Sequence, residues 1–173
     1  MESPDKASVP TDQYFQTRKT IEEQVGFETV EDSEDMFVIA KERMVHINDW
    51  NKHTQSADVS FQLLDANGHK INRHVHSGDF IQINSTRVKI ESIVYDDFPD
   101  DNRESIGVKL VESGEVELNF CYFFLIERIY TDVFARFESR CTSQELEDDA
   151  ILSKLPDQVI QEILKEWLDV DGI

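Results

Sequence analysis

The sequence predicts an α+β protein: a curved antiparallel sheet or small β-barrel of about six or seven strands, with an N-terminal helical region and a C-terminal helix. Three observations carry that prediction. Hydropathy alternates with period two from Asp58 onward, Asn67-Gly68 stands between two alternating runs, and an apolar stripe at helical spacing runs from Val159 to Trp167.

Taken in order, residues 1–10 hold two prolines among small polar residues and read as a disordered lead. Thr11 is a candidate N-cap, and Tyr14, Arg18, Ile21 and Val25 recur at helical spacing until Gly26. The acidic tract Glu28 to Asp35 follows. Phe37, Ala40, Met44 and Ile47 then lie beneath Lys41, Glu42 and Arg43, which favours a helix from Met36 toward Asp49. Residues 11–50 therefore form the expected helical N-terminal region.

The β core is expected over residues 57–142. Val59, Phe61 and Leu63 alternate with Asp58, Ser60 and Gln62; a hairpin at Asn67-Gly68 then predicts a second strand from His69 to Val75. Phe80, Ile81 and Ile83 form a third strand. Val88, Ile90, Ile93 and Val94 form a fourth, with Arg87, Lys89 and Glu91 on its wet face. Tyr95 to Asn102 reads as a long polar loop. Ile106, Val108 and Leu110 supply the fifth strand. From Phe120 to Arg140 the spacing of Leu125, Ile129, Val133 and Phe137 fits a helix. The density of aromatic and β-branched residues favours instead a hairpin turning near Tyr130 to Asp132. The acidic segment 143–173 carries the last helix, with Pro156 in the first turn and Val159, Ile160, Ile163, Leu164 and Trp167 on one face.

Composition narrows the classes of function. A chain of 173 residues has room for one domain, and it carries a net charge of −19. Ten acidic and three basic side chains fall in residues 1–35, and nine and two in 145–173, whereas 36–95 is nearly balanced. Such a field repels nucleic acid and anionic lipid, so neither is an expected partner; a basic protein is. No membrane-spanning stretch and no basic, apolar leader is evident, which sets the cytoplasm as the expectation. Two cysteines, Cys121 and Cys141, make neither a disulfide framework nor a metal knuckle.

The candidate sites are three. His69, His74 and His76 are candidate metal ligands, since His74 and His76 would share one face of a strand and His69 could meet them across the hairpin. No carboxylate is placed by sequence to orient them, so exposed polar histidines and no metal or cofactor are expected. Asp96, Asp97, Asp100, Asp101, Asn102 and Glu104 crowd one loop but match no EF-hand register. Trp50, Phe61, Phe80, Tyr122 and Phe124 are candidate ligand-binding residues, the phenyl rings as the wall of a pocket inside the curved sheet. Trp167, Leu164 and Ile160 are candidate interface residues: their stripe must cover the open end of the sheet or another chain.

No catalytic motif is present: G-x-S-x-G, P-loop and dinucleotide fingerprints are all missing. Two readings follow. The favoured one is a non-enzymatic interaction module whose acidic rim engages a basic protein. The other is a small-ligand-binding protein or enzyme with an aromatic-lined pocket. A filled sheet interior favours the first and an enclosed void the second.

Overall fold

The chain is described by a computed structural model covering residues 16–53, 58–112, 120–141 and 155–171. Strand β1 (Gln16–Gly26) leads into helix α1 (Val30–Val45) and a 3-10 helix (Ile47–His53). Strands β2 (Phe61–Leu64), β3 (Phe80–Ile83), β4 (Thr86–Phe98), β5 (Arg103–Glu112), β6 (Phe120–Ile129) and β7 (Asp132–Cys141) follow, then helix α2 (Asp157–Trp167). The seven strands form one curled antiparallel sheet in the order β1-β7-β6-β5-β4-β3-β2.

Curvature has a local origin. Extra residues interrupt the β1–β7 register between Thr17 and Lys19 and the β4–β5 register between Ile90 and Ser92. A bulge bends its strand and increases its twist. On the inner face the alternation brings Ile21, Phe137, Tyr122, Phe124, Ile106, Val108, Ile90, Ile81 and Phe61 into one core. Both helices lie against that face, α1 on β6 and β7, α2 on β1 and β7.

Helix α1 begins earlier than Met36, because the acidic tract is its first turn. Thr29 Oγ1 accepts the Asp32 N–H at 3.1 Å, and Glu31 and Asp32 face the positive end of the helix dipole. Its buried stripe is Ser33, Met36, Phe37, Ala40 and Met44. Segment 120–141 is a hairpin, as its aromatic and β-branched content favours. Helix α2 follows Pro156, which is its N-cap and not a residue of its first turn.

Three expectations are corrected. Residues 16–26 form a strand and not a helix, so the sheet extends beyond 57–142. Ile21 and Val25 are four apart in either reading, but in β1 they share the inner face with Glu23 between them, paired to Phe137, Val133 and Ala135. Residues 69–75 form no strand. One bridge, Leu64 to Lys70, is all the ladder they make. Side chains take the backbone groups instead: Asn48 Nδ2 donates to Ile71 O at 2.9 Å and Arg73 Nη1 to His74 O at 2.7 Å. Nor is 95–102 a long loop, since β4 continues to Phe98 and a 3-10 turn (Pro99–Asp101) leads directly into β5. The expected disordered lead, residues 1–10, lies outside the described residues.

The 3-10 helix runs beside β2. Asn51 Oδ1 accepts Phe61 N–H and its Nδ2 donates to Phe61 O, both at 2.7 Å. Asn48 Oδ1 accepts Leu63 N–H at 2.9 Å. Two amide side chains thus give the outermost strand the hydrogen bonds that a further strand would have supplied.

Candidate functional site

Trp50 is carried by the 3-10 helix and Trp167 by the last turn of α2. Their rings lie 5.4 Å apart, and Trp50 also meets Phe61 at 5.2 Å and Phe124 at 5.1 Å, edge to face. Phe124 reaches Trp167 at 5.5 Å and Phe137 at 5.0 Å. Edge-to-face aromatic packing at these separations adds roughly 0.5–1.5 kcal/mol per pair beyond area burial. Trp50 Nε1 donates to Met44 O at 3.1 Å, which satisfies the indole and fixes its orientation.

The aromatic residues singled out in the sequence therefore have distinct places. Trp50, Phe61, Tyr122 and Phe124 are buried and touch one another or Phe137, filling the inside of the curl. Phe80 is half-buried on the face opposite Ile81 and Ile83. Ile160, Leu164 and Trp167 are buried within the chain itself, where α2 packs on β1 and β7. The stripe covers the sheet, because an 11-residue helix is marginal without such docking.

Where the 3-10 helix meets the end of α2, a cleft of about 140 Å³ opens over the two indoles, lined by Arg43, Asp49, Trp50, Lys52, Glu166 and Trp167. Arg43 Nη1 lies 2.8, 3.1 and 2.9 Å from the carbonyls of Glu166, Trp167 and Asp169, capping the negative end of α2. Lys52 Nζ faces Asp49 Oδ1 at 3.7 Å. An aromatic floor and a rim of two cations and two carboxylates result. Sequence reasoning found Trp50 and Trp167 but none of the four rim residues, which come from α1, the adjoining 3-10 helix and the distant α2. Trp50 and Trp167 are only 3% and 2% exposed, so a ring in the cleft could meet the indole edges alone while a polar substituent met the rim.

The three histidines do not meet. His69 stands 3.6 Å from Asp65, whose carboxyl is held below its ordinary value by the His69 backbone N–H and, secondarily, that of Asn67. His76 is exposed and gives its N–H to Asp79 Oδ2 at 2.7 Å. His74 lies across the end of α1, its ring 4.4 Å from that of His46.

No protein-family model and no curated protein matches the sequence. Among solved structures the chain is similar to major latex-like protein 151 of Panax ginseng. Two of its crystal forms give TM-scores of 0.40 and 0.42 at 17% and 15% identity, over 87% of this chain and 98% of the ginseng chain. It is also similar to Ara h 8.0201, with a TM-score of 0.33 at 13% identity, over 86% of this chain and 88% of the other. Likenesses with TM-scores below 0.5 assign neither a family nor an activity. Among the described residues no helix is long and apolar enough to cross a membrane.

Proposed function

We propose that the protein is a non-enzymatic small-ligand-binding protein whose ligand places a ring against the exposed edges of Trp50 and Trp167. One observation carries the reading: both indoles of the chain form the floor of a single cleft rimmed by Arg43, Lys52, Asp49 and Glu166. Drug-sized ligands need roughly 300 Å³ or more, so this cleft suits one ring or the ring-bearing end of a longer molecule. The sheet interior is filled by rings, which by itself is the outcome expected of an interaction module; the ligand reading therefore rests on the cleft at the mouth of the curl and not on a void inside it.

The two tryptophans make the test direct, because labelled protein gives two indole N–H resonances and both belong to the cleft. Phenol, benzoate and benzylamine, titrated separately, represent neutral, anionic and cationic ring ligands. Saturable movement of both indole resonances with at least one of them is the expected result. Resonances that stay still with all three, up to their solubility limits, would end the reading.

A second reading rests on a different surface. Val94 and Phe98 stand about half exposed near the far end of the β4–β5 hairpin, on the same face of β4 as Asp96, with Asp97, Asp100 and Asp101 close by in sequence. Apolar side chains ringed by carboxylates suit a basic protein partner. Pulldown that responds to salt and to charge-reversal at Asp96 and Asp97, but not to substitutions in the cleft, would favour it.

A further inference from the structure

We propose that Glu42, His46 and His74 form a binding site for a borderline transition-metal ion of the zinc class. One ligand atom from each of the three lies within 4.8 Å of the others. The placement follows from two elements. Glu42 lies in the last turn of α1 and His46, four residues on, is its C-cap, which brings both to the C-terminal end of that helix. His74 arrives from the segment between β2 and β3, and its Nε2 stands 3.0 Å from Glu42 Oε1.

That segment is held firmly. Val75 N–H donates to Val45 O at 3.1 Å, tying the residue after His74 to the last residue of α1. On its other side Arg73 grips Asp79 with two hydrogen bonds of 2.7 and 3.0 Å. Asp79 is buried and also accepts the His76 N–H. The backbone on both sides of the three ligands is thus fixed before any metal arrives, which lowers the ordering cost of binding.

Donor chemistry narrows the ion. Two imidazoles and one carboxylate are a zinc set, and three protein ligands leave a fourth position for water or substrate. Magnesium prefers an all-oxygen shell and is disfavoured. Tetrahedral zinc with bonds of about 2.0–2.1 Å needs its ligands roughly 3.4 Å apart. Closing 4.8 Å to that spacing requires only side-chain rotation; the side chains of His74 and Glu42 are 48% and 49% exposed and have room for it. Asp49 adds a second carboxylate, its Oδ2 3.9 Å from His46 Nδ1. Because Asp49 also lines the indole cleft, a bound ion would stand beside that cleft. The metal site nonetheless rests on its own residues and does not depend on the ligand reading.

The test uses the full chain, stripped with a chelator, and ZnCl₂ as the probe in calorimetry. One zinc per chain with a dissociation constant in the micromolar range or below is expected, and no heat with MgCl₂. His46→Ala and His74→Ala should each weaken binding by more than about tenfold, and Glu42→Gln should weaken it as well, while His69→Ala leaves it unchanged. Circular dichroism confirms that the variants fold, and the d–d absorption of bound Co²⁺ reads coordination independently. No zinc binding up to about 100 μM overturns the proposal. So does binding that His46→Ala and His74→Ala leave intact, which would place the ion elsewhere.

Discussion

Ser139 lies on the inner face of β7, fully buried, and its hydroxyl has no hydrogen-bond partner among the described residues. Burying an unsatisfied hydroxyl costs about 1–3 kcal/mol, whereas its removal leaves nothing unpaired. Ser139→Ala is therefore expected to leave the melting temperature unchanged or to raise it; a clear loss, above about 1 kcal/mol by denaturant titration, would show a bond to this hydroxyl. Arg128 is the opposite case. It is only 3% exposed, yet Glu104 Oε2 at 2.8 Å, Asn102 Oδ1 at 2.7 Å and the Tyr130 carbonyl at 3.0 Å all receive its protons. Asp65 sets a pH dependence. Its folded value lies below the unfolded one near 4, so its contribution is present above about pH 4 and fades as the pH falls through the folded value. In Asp65→Asn the melting temperature should fall less steeply between about pH 4 and pH 2 than in the parent chain. Equal slopes would remove Asp65 from that account.

Among the elements, α2 offers the sharpest measurement. Trp167 is 2% exposed and touches Trp50 and Phe124, so Trp167→Ala should cost roughly 3–5 kcal/mol in urea unfolding. A cost under about 1 kcal/mol would mean that the helix is not docked on the sheet. This element was legible in the sequence because its apolar residues are uninterrupted at one period. The same holds for β5 and the β6–β7 hairpin. Strand β1 was hidden because Glu23 breaks its inner-face alternation, leaving Ile21 and Val25 to imitate a helix turn. Segment 69–75 misled for another reason: Asn48 and Arg73 side chains take the Ile71 and His74 carbonyls, and no propensity records a side chain replacing a ladder. The site was half legible. Large aromatics announced the floor of the cleft, but the rim and the Glu42–His46–His74 group come together only through tertiary packing. Glu42 and His46 alone, one turn apart, were the signal available beforehand.

At the scale of the molecule, the net charge of −19 should keep the protein off nucleic acid. Retention of a random duplex at micromolar concentration and physiological salt would reveal a basic surface that the net charge conceals. Geometry has its own consequence at this scale, and it concerns how copies of the chain could add to one another. An open sheet has two ends, each a template for another strand. Here the β2 end is blocked from within, because Asn51 occupies both polar groups of Phe61, Asn48 the Leu63 N–H, and the Ile71 N–H the Leu63 carbonyl. At the β1 end the strand itself bears Lys19, Glu22 and Glu23. Fibril growth by strand addition is thus barred at one end by occupied hydrogen bonds and discouraged at the other by charge, and Asn51→Leu would free only the two groups of Phe61, leaving those of Leu63 taken.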